Sequence, residues 1–532
     1  MSAFQPTGGP TSRLSVGVSC ENLADKDLSS KSDPQCVLFL QQQDGQWNEL
    51  GRTEVLQNTL NPKWQTRFVV DFHFEARQNV RFMVIDSDNK ARKITKHDNL
   101  GSLELPLAKI ASAPERVHTE TLTGTKAKNG RITITCEEHS YNKDIAHIQL
   151  AAQKLAKKDT FGKSDPFVEI RKFVSEGNYA LVYRTEMIKN NLNPTWAEFK
   201  LPVRDLLQGE QSCPVKLDVF DWDGSDKHEL IGSVTLTLNE LINASAEKIQ
   251  IPLIDPKKVG KKKYQNSGTL VVTKCQIETV VSFLDYLQRG TAMNFSVAID
   301  FTASNRNPSD PRSLHHMSPQ GQTQYTMAIQ AIGNVIQDYD QDRHYPALGF
   351  GAKVPPHGHT SHEFFLNLSP DNPFCDGIDG ILQAYARSLQ NVELFGPTNF
   401  APVINHVARF AAAYQDGRQY FVLLILTDGI VTDLKETKAA IVAASHLPMS
   451  IVIAGIGQED FSAMKELDAD QIRLEHNTQP MNRDIVQFVE FQSFLNKDGI
   501  LDQAGLAKSV LEEIPNQVIQ WMTAKGIKPL PR

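Results

Sequence analysis

Acidic residues recur along the first half of this chain in two matched sets that could hold a metal ion. Asp27 and Asp33, the two acids of the motif Asp-x-x-x-x-Ser-Asp-Pro, reappear 132 residues later as Asp159 and Asp165 in the same motif. Calcium takes six to eight hard oxygen ligands from carboxylates and carbonyls in a pliable shell. The paired carboxylates are therefore candidates for two calcium sites.

The repeat extends well beyond these acids. An Asn-Pro-x-Trp motif occupies 61–64 and again 193–196, and an Asp-x-Asp motif occupies 86–88 and again 221–223. The offset between copies changes only slightly from motif to motif, as loop insertions between repeated elements would cause. The chain therefore contains a duplicated module whose loops are acidic in both copies.

Each copy offers five acidic side chains from two loops at one end of the module. They are Asp27, Asp33, Asp86, Asp88 and Asp98 in the first copy, and Asp159, Asp165, Asp221, Asp223 and Glu229 in the second. Without a metal, each close pair of carboxylates would repel by roughly 4 kcal/mol at about 4 Å and an effective dielectric near 20. A cation removes that repulsion and lets the acidic end approach anionic headgroups. The alternative is that these residues only form solvated turns, where Asp is common for backbone reasons.

Lysines beside these loops are candidates for contact with an acidic lipid surface, where each contributes about 1 kcal/mol. Those in the second copy are Lys157, Lys158, Lys163, Lys261, Lys262 and Lys263. A run of lysines is usually just a solvated loop, and this alternative to lipid contact applies to residues 261–263.

A second kind of site is indicated in the last part of the chain. The apolar run 295–299 ends in Asp300-Phe301-Thr302-Ala303-Ser304, and the run 421–426 ends in Thr427-Asp428-Gly429. Ligands bind at the carboxyl ends of central strands in open α/β sheets. The candidate ligands there are Asp300, Thr302, Ser304, Thr398 and Asp428. An oxygen-only set suits Mg²⁺ or Mn²⁺ better than zinc, and the alternative is a helix N-cap followed by a turn.

The elements that must position these residues change character near residue 292. Before it, short runs with period-two alternation, separated by Asn, Asp, Gly and Pro, predict antiparallel β-sandwiches with room for about eight strands each. After it, apolar strands alternate with helical stretches, which predicts an α/β doubly wound sheet. The helices are expected at 323–340, 377–394, 401–414 and 434–445, with one more at 506–525. We expect five segments: a first sandwich with a short tail at 1–137, a second at 138–280, a linker at 281–292, the α/β domain at 293–518 and a C-terminal tail at 519–532.

Composition excludes several classes of protein. The 532 residues are too many for one core, and a net charge of −7 offers no case for nucleic-acid binding. The six cysteines are scattered without a CxxC pair, so a disulfide scaffold or zinc site is not expected. The polar N-terminus lacks an apolar signal core, and the longest apolar run is too short for a membrane span. These features favour the cytoplasm.

The two repeats resemble tandem C2 domains, in which five acidic positions on two loops bind calcium. Two departures stand out: Asp88 and Asp98 are farther apart than Asp223 and Glu229, and Glu229 stands where Asp is usual. The last domain resembles a von Willebrand A domain with its metal-ion-dependent adhesion site, where the metal keeps a position open for an acidic residue of a protein partner. Together the three domains resemble the copine family over essentially the whole chain.

That resemblance implies a calcium-dependent phospholipid-binding adaptor that recruits client proteins through its A domain. Such a protein would move from the cytoplasm to the plasma membrane or other membranes with calcium, and the nucleus stays open as a further location. Two alternative functions fit parts of the sequence. One is a lipid-modifying enzyme targeted by its C2 domains, which the lack of a nucleophile–base set disfavours. The other is an extracellular adhesion protein, which the missing signal segment and scattered cysteines disfavour.

Overall fold

A computed structural model describes most of the chain, with gaps mainly in loops and at the termini. The described residues are 12–25, 31–42, 44–87, 98–124, 130–138, 144–158, 162–207, 212–224, 228–279, 281–317, 322–340, 342–356, 358–468, 475–476 and 479–529. They fall into two compact units, one formed by 1–138 with 282–532 and the other by 139–281.

The first sandwich has eight strands among its described residues, because period-two alternation gives each strand one buried face. They are β1 (Ser12–Glu21), β2 (Pro34–Gln41), β3 (Trp47–Arg52), β4 (Phe68–Phe72), β5 (Asn79–Asp86), β6 (Asp98–Pro106), β7 (Val117–Thr121) and β8 (Arg131–Glu138), with helix α1 (Leu107–Ala111). Two antiparallel sheets form, in the orders β4-β1-β8-β7 and β3-β2-β5-β6.

The second sandwich repeats this topology in its own compact unit. Its elements are β9 (Asp144–Gln153), β10 (Pro166–Ser175), β11 (Asn178–Arg184), β12 (Phe199–Pro202), α2 (Val203–Leu206), β13 (Pro214–Asp221), β14 (Glu229–Thr237), α3 (Leu238–Glu247), β15 (Gln250–Pro252) and β16 (Thr269–Thr279). Its sheets run β12-β9-β16-β15 and β11-β10-β13-β14, so every strand has its counterpart eight places earlier. The duplication predicted from sequence is therefore a duplication of topology.

The α/β domain follows helix α4 (Phe283–Gln288). Its strands are β17 (Ala292–Asp300), β18 (His344–Phe350), β19 (Ala352–Lys353), β20 (Thr360–Ser361), β21 (Phe364–Phe365), β22 (Phe374–Asp376), β23 (Glu393–Leu394), β24 (Gln419–Thr427), β25 (Met449–Gly455), β26 (Glu475–His476), β27 (Gln479–Pro480) and β28 (Val486–Glu490). Its helices are α5 (Gln324–Ile336), α6 (Gly377–Asn391), α7 (Ala401–Ala413), α8 (Leu434–Ala444), α9 (Ser462–Leu467), α10 (Gln503–Leu511) and α11 (Ile514–Ala524).

The main sheet of this domain runs β21-β18-β17-β24-β25-β28, and β18, β17, β24, β25 and β28 are parallel. Helices cover both faces, as neighbouring residues of β17 show. Val297 and Ile299 belong to a hydrophobic cluster that includes residues of α5. Ala298, on the other face of the sheet, belongs to a hydrophobic cluster that includes residues of α7 and α8. The predicted fold class, two antiparallel sandwiches followed by a doubly wound α/β domain, is confirmed.

Two segments differ in detail from expectation. The single helix predicted for 506–525 is wrong, because the chain forms α10 and α11 with a break between them. Pro515 lies in the first turn of α11, where its missing N–H is harmless, but continuing the helix through it would place its ring against the carbonyl of Leu511. The segment 281–292, expected to be a linker, contains α4, and the ring of Phe283 packs edge-on against Phe74 of the first sandwich at 4.9 Å.

The six cysteines are free thiols, and burial raises the pKa of Cys275 and Cys375 to about 11. No helix in the described part of the chain is both long and apolar enough to cross a membrane.

Candidate functional site

Three of the five predicted calcium ligands of the first sandwich lie near one end of it. Asp33 directly precedes β2, Asp86 ends β5, and Asp98 begins β6 opposite Asp86 in the ladder. The backbone N–H of Asp33 donates to Asp86 Oδ1 at 2.8 Å. Asp27 and Asp88 lie outside the described residues.

At this end of the first sandwich, which we call its tip, the Asp33 and Asp86 carboxylates accept hydrogen bonds from the backbone. Asp33 Oδ1 accepts from the N–H of Asn58 at 2.7 Å. Asp86 is 1% exposed, and its Oδ2 has no hydrogen-bond partner within the described ranges. A buried carboxylate oxygen without a hydrogen-bond partner destabilises the fold unless another group pairs with it. A bound cation would provide that pairing.

The second sandwich builds the same arrangement. The N–H of Asp165 donates to Asp221 Oδ1 at 2.6 Å, and Asp165 Oδ1 accepts from the N–H of Asn190 at 2.6 Å. Asp221 is buried and faces Glu229 in the ladder, and Asp223 follows β13 two residues later. Asp159 lies outside the described residues.

Lysines are distributed unevenly around the second tip. The side chain of Lys158 is only 9% exposed, and its Nζ lies 3.1 Å from Glu229 Oε1 and 3.5 Å from Asp255 Oδ2. Lys158 therefore pairs with a predicted site residue in this structure instead of facing solvent. The other lipid-contact candidates are exposed, namely Lys157, Lys163, Lys261, Lys262 and Lys263.

In the α/β domain, all five predicted metal ligands lie at the carboxyl ends of β17 and β24 or on a neighbouring loop. Asp300 Oδ1 accepts from the N–H of Thr302 at 2.8 Å and from its hydroxyl at 2.6 Å. The Thr302 and Ser304 hydroxyls are 2.8 Å apart, and Ser304 Oγ donates to Asp428 Oδ1 at 3.0 Å. Two carboxylates are thus joined by a chain of two hydroxyls.

Thr398 completes this cluster from the loop before α7. A Cβ placed on Gly429 would lie 2.9 Å from Thr398 Oγ1 and 3.7 Å from Ser304 Oγ, so these hydroxyls surround the same glycine. Asp433 holds the start of α7 against this loop, because its two carboxylate oxygens accept from the N–H groups of Phe400 and Ala401 at 3.0 Å each.

Burial makes this site electrostatically unusual. Asp300 is fully buried and Asp428 is 2% exposed. Burial, reinforced by the neighbouring charge of Asp300, raises the pKa of Asp428 to about 8. Burial likewise raises the pKa of Asp300, although its hydrogen bonds from Thr302 and Thr427 oppose this. Two desolvated carboxylates with like charge favour a bound cation.

One contributor was not among the predicted ligands. Thr427 donates its hydroxyl to Asp300 Oδ2 at 2.6 Å and so orients the central carboxylate. The Thr427-Asp428-Gly429 strand end carries a signal for it, since the hydroxyl directly precedes the predicted carboxylate ligand. The pairing of Lys158 with Glu229 has no local sequence signal.

The acidic, histidine and cysteine side chains of the described ranges do not by themselves form a group of three that could hold a metal ion. The α/β arrangement combines carboxylates with hydroxyls. In the two sandwiches the described predicted acids form no such group in this structure, and the remaining predicted ligands, Asp27, Asp88 and Asp159, lie outside those ranges.

Comparison with known proteins agrees with this architecture. The C2 domain model matches residues 12–122 and 147–253, and the copine model matches residues 313–530. Among solved structures, "BON1-C2B" is 31% identical over 26% of this chain and 94% of its own length, with a TM-score of 0.23. A calcium-bound pair of C2 domains from Extended-Synaptotagmin 2 is 14% identical over 51% of this chain and 99% of its own length, with a TM-score of 0.24.

A chain with two C2 domains followed by a copine domain is a multidomain, membrane-associated C2 protein. The chain belongs to the copine family. This membership supports binding of calcium and of phospholipid membranes.

Proposed function

We propose that this protein is a calcium-dependent phospholipid-binding adaptor that moves from the cytoplasm to anionic membranes when calcium rises. There it recruits partner proteins through a metal-ion-dependent site in its α/β domain. The observation that carries the proposal is the repeated tip, in which a buried carboxylate anchors the Asp-Pro segment identically in both sandwiches.

The calcium part of the proposal rests on charge. The ligands would be Asp27, Asp33, Asp86, Asp88 and Asp98 in the first C2 domain and Asp159, Asp165, Asp221, Asp223 and Glu229 in the second. Bound calcium supplies positive charge that both neutralises the acidic loops and attracts lipid phosphates. The exposed lysines beside the second tip add to that attraction.

The partner-binding part rests on the α/β site. Asp300, Thr302, Ser304, Thr398 and Asp428 would hold Mg²⁺ or Mn²⁺, which supplies a Lewis-acidic position for a carboxylate of the partner. The chain's own contribution is orientation. Thr302 and Thr427 clamp both oxygens of Asp300, while Ser304 holds Asp428 in reach of the same point.

Sedimentation with vesicles tests the membrane function. The double variant Asp33→Asn/Asp165→Asn should no longer sediment with phosphatidylserine vesicles in calcium, whereas the wild type should sediment in calcium but not in EDTA. Asparagine keeps the Oδ1 acceptor for Asn58 and Asn190, so folding should be unchanged and only the charge lost.

A matched control changes surface acids of the same two domains. Asp44→Asn/Asp205→Asn removes the same charge away from the tips and should sediment like the wild type. Calcium-dependent sedimentation that persists in the tip variant would refute the assignment.

A further inference from the structure

A groove of about 450 Å³ lies at the end of the α/β domain opposite the predicted metal site. It is lined by residues near the beginnings of β17, β18 and β24, whereas the metal-site residues follow the ends of β17 and β24. Its other lining comes from the C-terminal half of α7 and from the segment around β22. The groove is therefore separate from the site proposed for partner capture.

Three large aromatic side chains stand exposed in this groove. Phe374 is 48%, Phe410 51% and Tyr414 39% exposed, although aromatic rings of this size are usually buried. Val407 and Phe421 continue the apolar lining inward. Exposed apolar residues gathered in one concave place mark interaction sites more often than isolated ones do.

The remaining lining is acidic. Asp340, Asp342 and Asp371 contribute carboxylates, and the described lining contains no lysine or arginine. Two adjacent cations are already paired: Arg409 lies 3.4 Å from Glu363 and Arg418 lies 3.1 Å from Asp416.

The fold adds further negative potential at this place. Helix α7 ends beside Phe410 and Tyr414, and the C-terminus of a helix carries the negative end of its dipole. Burial, together with the neighbouring Asp342, raises the pKa of Asp340 to about 6 despite its backbone hydrogen bonds. A positive ligand group would relieve this crowding of negative charge.

A buried imidazole lies in the same lining. His406 is 6% exposed, its Nδ1 contacts Glu363, and its Nε2 has no partner within the described ranges. Its ring packs against Phe410 at 5.3 Å, so a buried polar ring lies directly beside an exposed aromatic ring of the groove. Arginine suits such a place because its planar cation stacks on aromatic faces and pairs with carboxylates.

We propose that this groove is a second protein-docking site, which binds a partner segment carrying an arginine or lysine next to an aromatic or aliphatic side chain. The acids select the cation, and the exposed rings cover the apolar neighbour. Because the predicted metal ligands lie at the other end of the sheet, binding here is independent of Mg²⁺ and of Asp300.

Phage-displayed random heptapeptides, selected on the full-length protein in EDTA, test this proposal. The enriched peptides should contain a basic residue beside an apolar one. A synthetic copy labelled with fluorescein should bind the wild type with an affinity that falls as salt is raised. The variant Asp371→Asn/Phe410→Ser should bind it about tenfold more weakly, since a charge and an apolar anchor are both removed.

The matched control is Asp498→Asn/Ile500→Ser, which makes the same kind of change at exposed residues outside the groove. It should bind the peptide like the wild type. If the groove variant melts at a lower temperature than the wild type, Phe374→Ser serves in its place.

The proposal is overturned if no peptide is enriched, if the enriched peptides lack basic residues, or if groove and control variants bind equally. Loss of binding in Asp300→Ala would instead place the peptide at the metal site.

Discussion

Asp300 is the residue on which the α/β site depends most directly. It accepts from one backbone N–H and two hydroxyls, and it has no exposed surface. Burial is the largest influence on the pKa of this carboxylate and raises it, and its neutral donors only partly oppose that rise, so nearby positive charge would favour its charged form. Under the proposed function, the role of Asp300 is ligand binding rather than stability.

The variant Asp300→Asn should consequently lose metal binding without losing the fold. Affinity for Mn²⁺, measured by titration calorimetry, should fall by at least about tenfold. In EDTA the melting temperature should not fall, because the substitution removes a buried carboxylate whose charged form is penalised by desolvation. Asp310→Asn, at a half-buried carboxylate paired with Arg312, is the control and should bind Mn²⁺ normally. Loss of vesicle sedimentation in a folded Asp300→Asn protein would contradict the separation of lipid and partner functions.

At the scale of elements, the structure explains why the duplicated module can be recognised from the sequence. Trp64 and Trp196 are buried, and each donates its indole N–H to the carbonyl of Pro34 or Pro166 at 3.3 and 3.2 Å. The same hydrogen bond forms in both copies because each tryptophan holds its own loop against the strand that begins at the proline. Motifs that make identical hydrogen bonds in both copies must keep their spacing, so the sequence alone predicts the duplicated fold.

Other elements were beyond sequence reasoning for physical reasons. The pairing of Lys158 with Glu229 and Asp255 joins residues far apart in sequence, and no local pattern reports it. The packing of α4 on the first sandwich also depends on tertiary contacts, because six residues show too little periodicity to predict a helix. The break before α11 was predictable, since Pro515 stands in the sequence.

A loop acid of the first sandwich gives a test at this scale. Glu54 accepts from the N–H groups of Gln65 and Thr66 at 2.6 and 3.1 Å. Partial burial raises its pKa, but hydrogen bonds from Thr66 and Gln65 outweigh it and lower the pKa to about 2. A lowered pKa means that the stabilisation is complete above the unfolded value near 4.5 and is lost as pH falls towards 2.

Glu54→Gln should therefore reduce the free energy of unfolding by about 1 kcal/mol at pH 7. The difference from the wild type should shrink as pH is lowered below about 4.5. Hydrogen exchange of the peptide that contains Gln65 and Thr66 measures this locally. A difference that is independent of pH would show that the charge of Glu54 is not what matters.

For the whole molecule, the main consequence is that the first C2 domain and the α/β domain form one compact unit. Phe74 packs on Phe283 and Tyr339, Gln288 Nε2 donates to the carbonyl of Ala111 at 2.8 Å, and Arg77 pairs with Asp338 at 3.2 Å. Under the proposed function, docking of the first C2 domain on a membrane would thus bring the α/β domain to the membrane with it.

The hydroxyl of Tyr339 tests whether this contact is energetically important. It donates to the buried carbonyl of Phe74 at 2.8 Å, so Tyr339→Phe leaves that carbonyl unsatisfied and should cost about 1–3 kcal/mol. Tyr345→Phe is a matched control, because the Tyr345 hydroxyl is buried with no hydrogen-bond partner in the described part of the chain. Calorimetry should show one shared transition for the first C2 and α/β domains in the wild type and the control. In Tyr339→Phe that transition should shift down or split, and equal thermograms for the two variants would mean that the domains are not coupled through this contact.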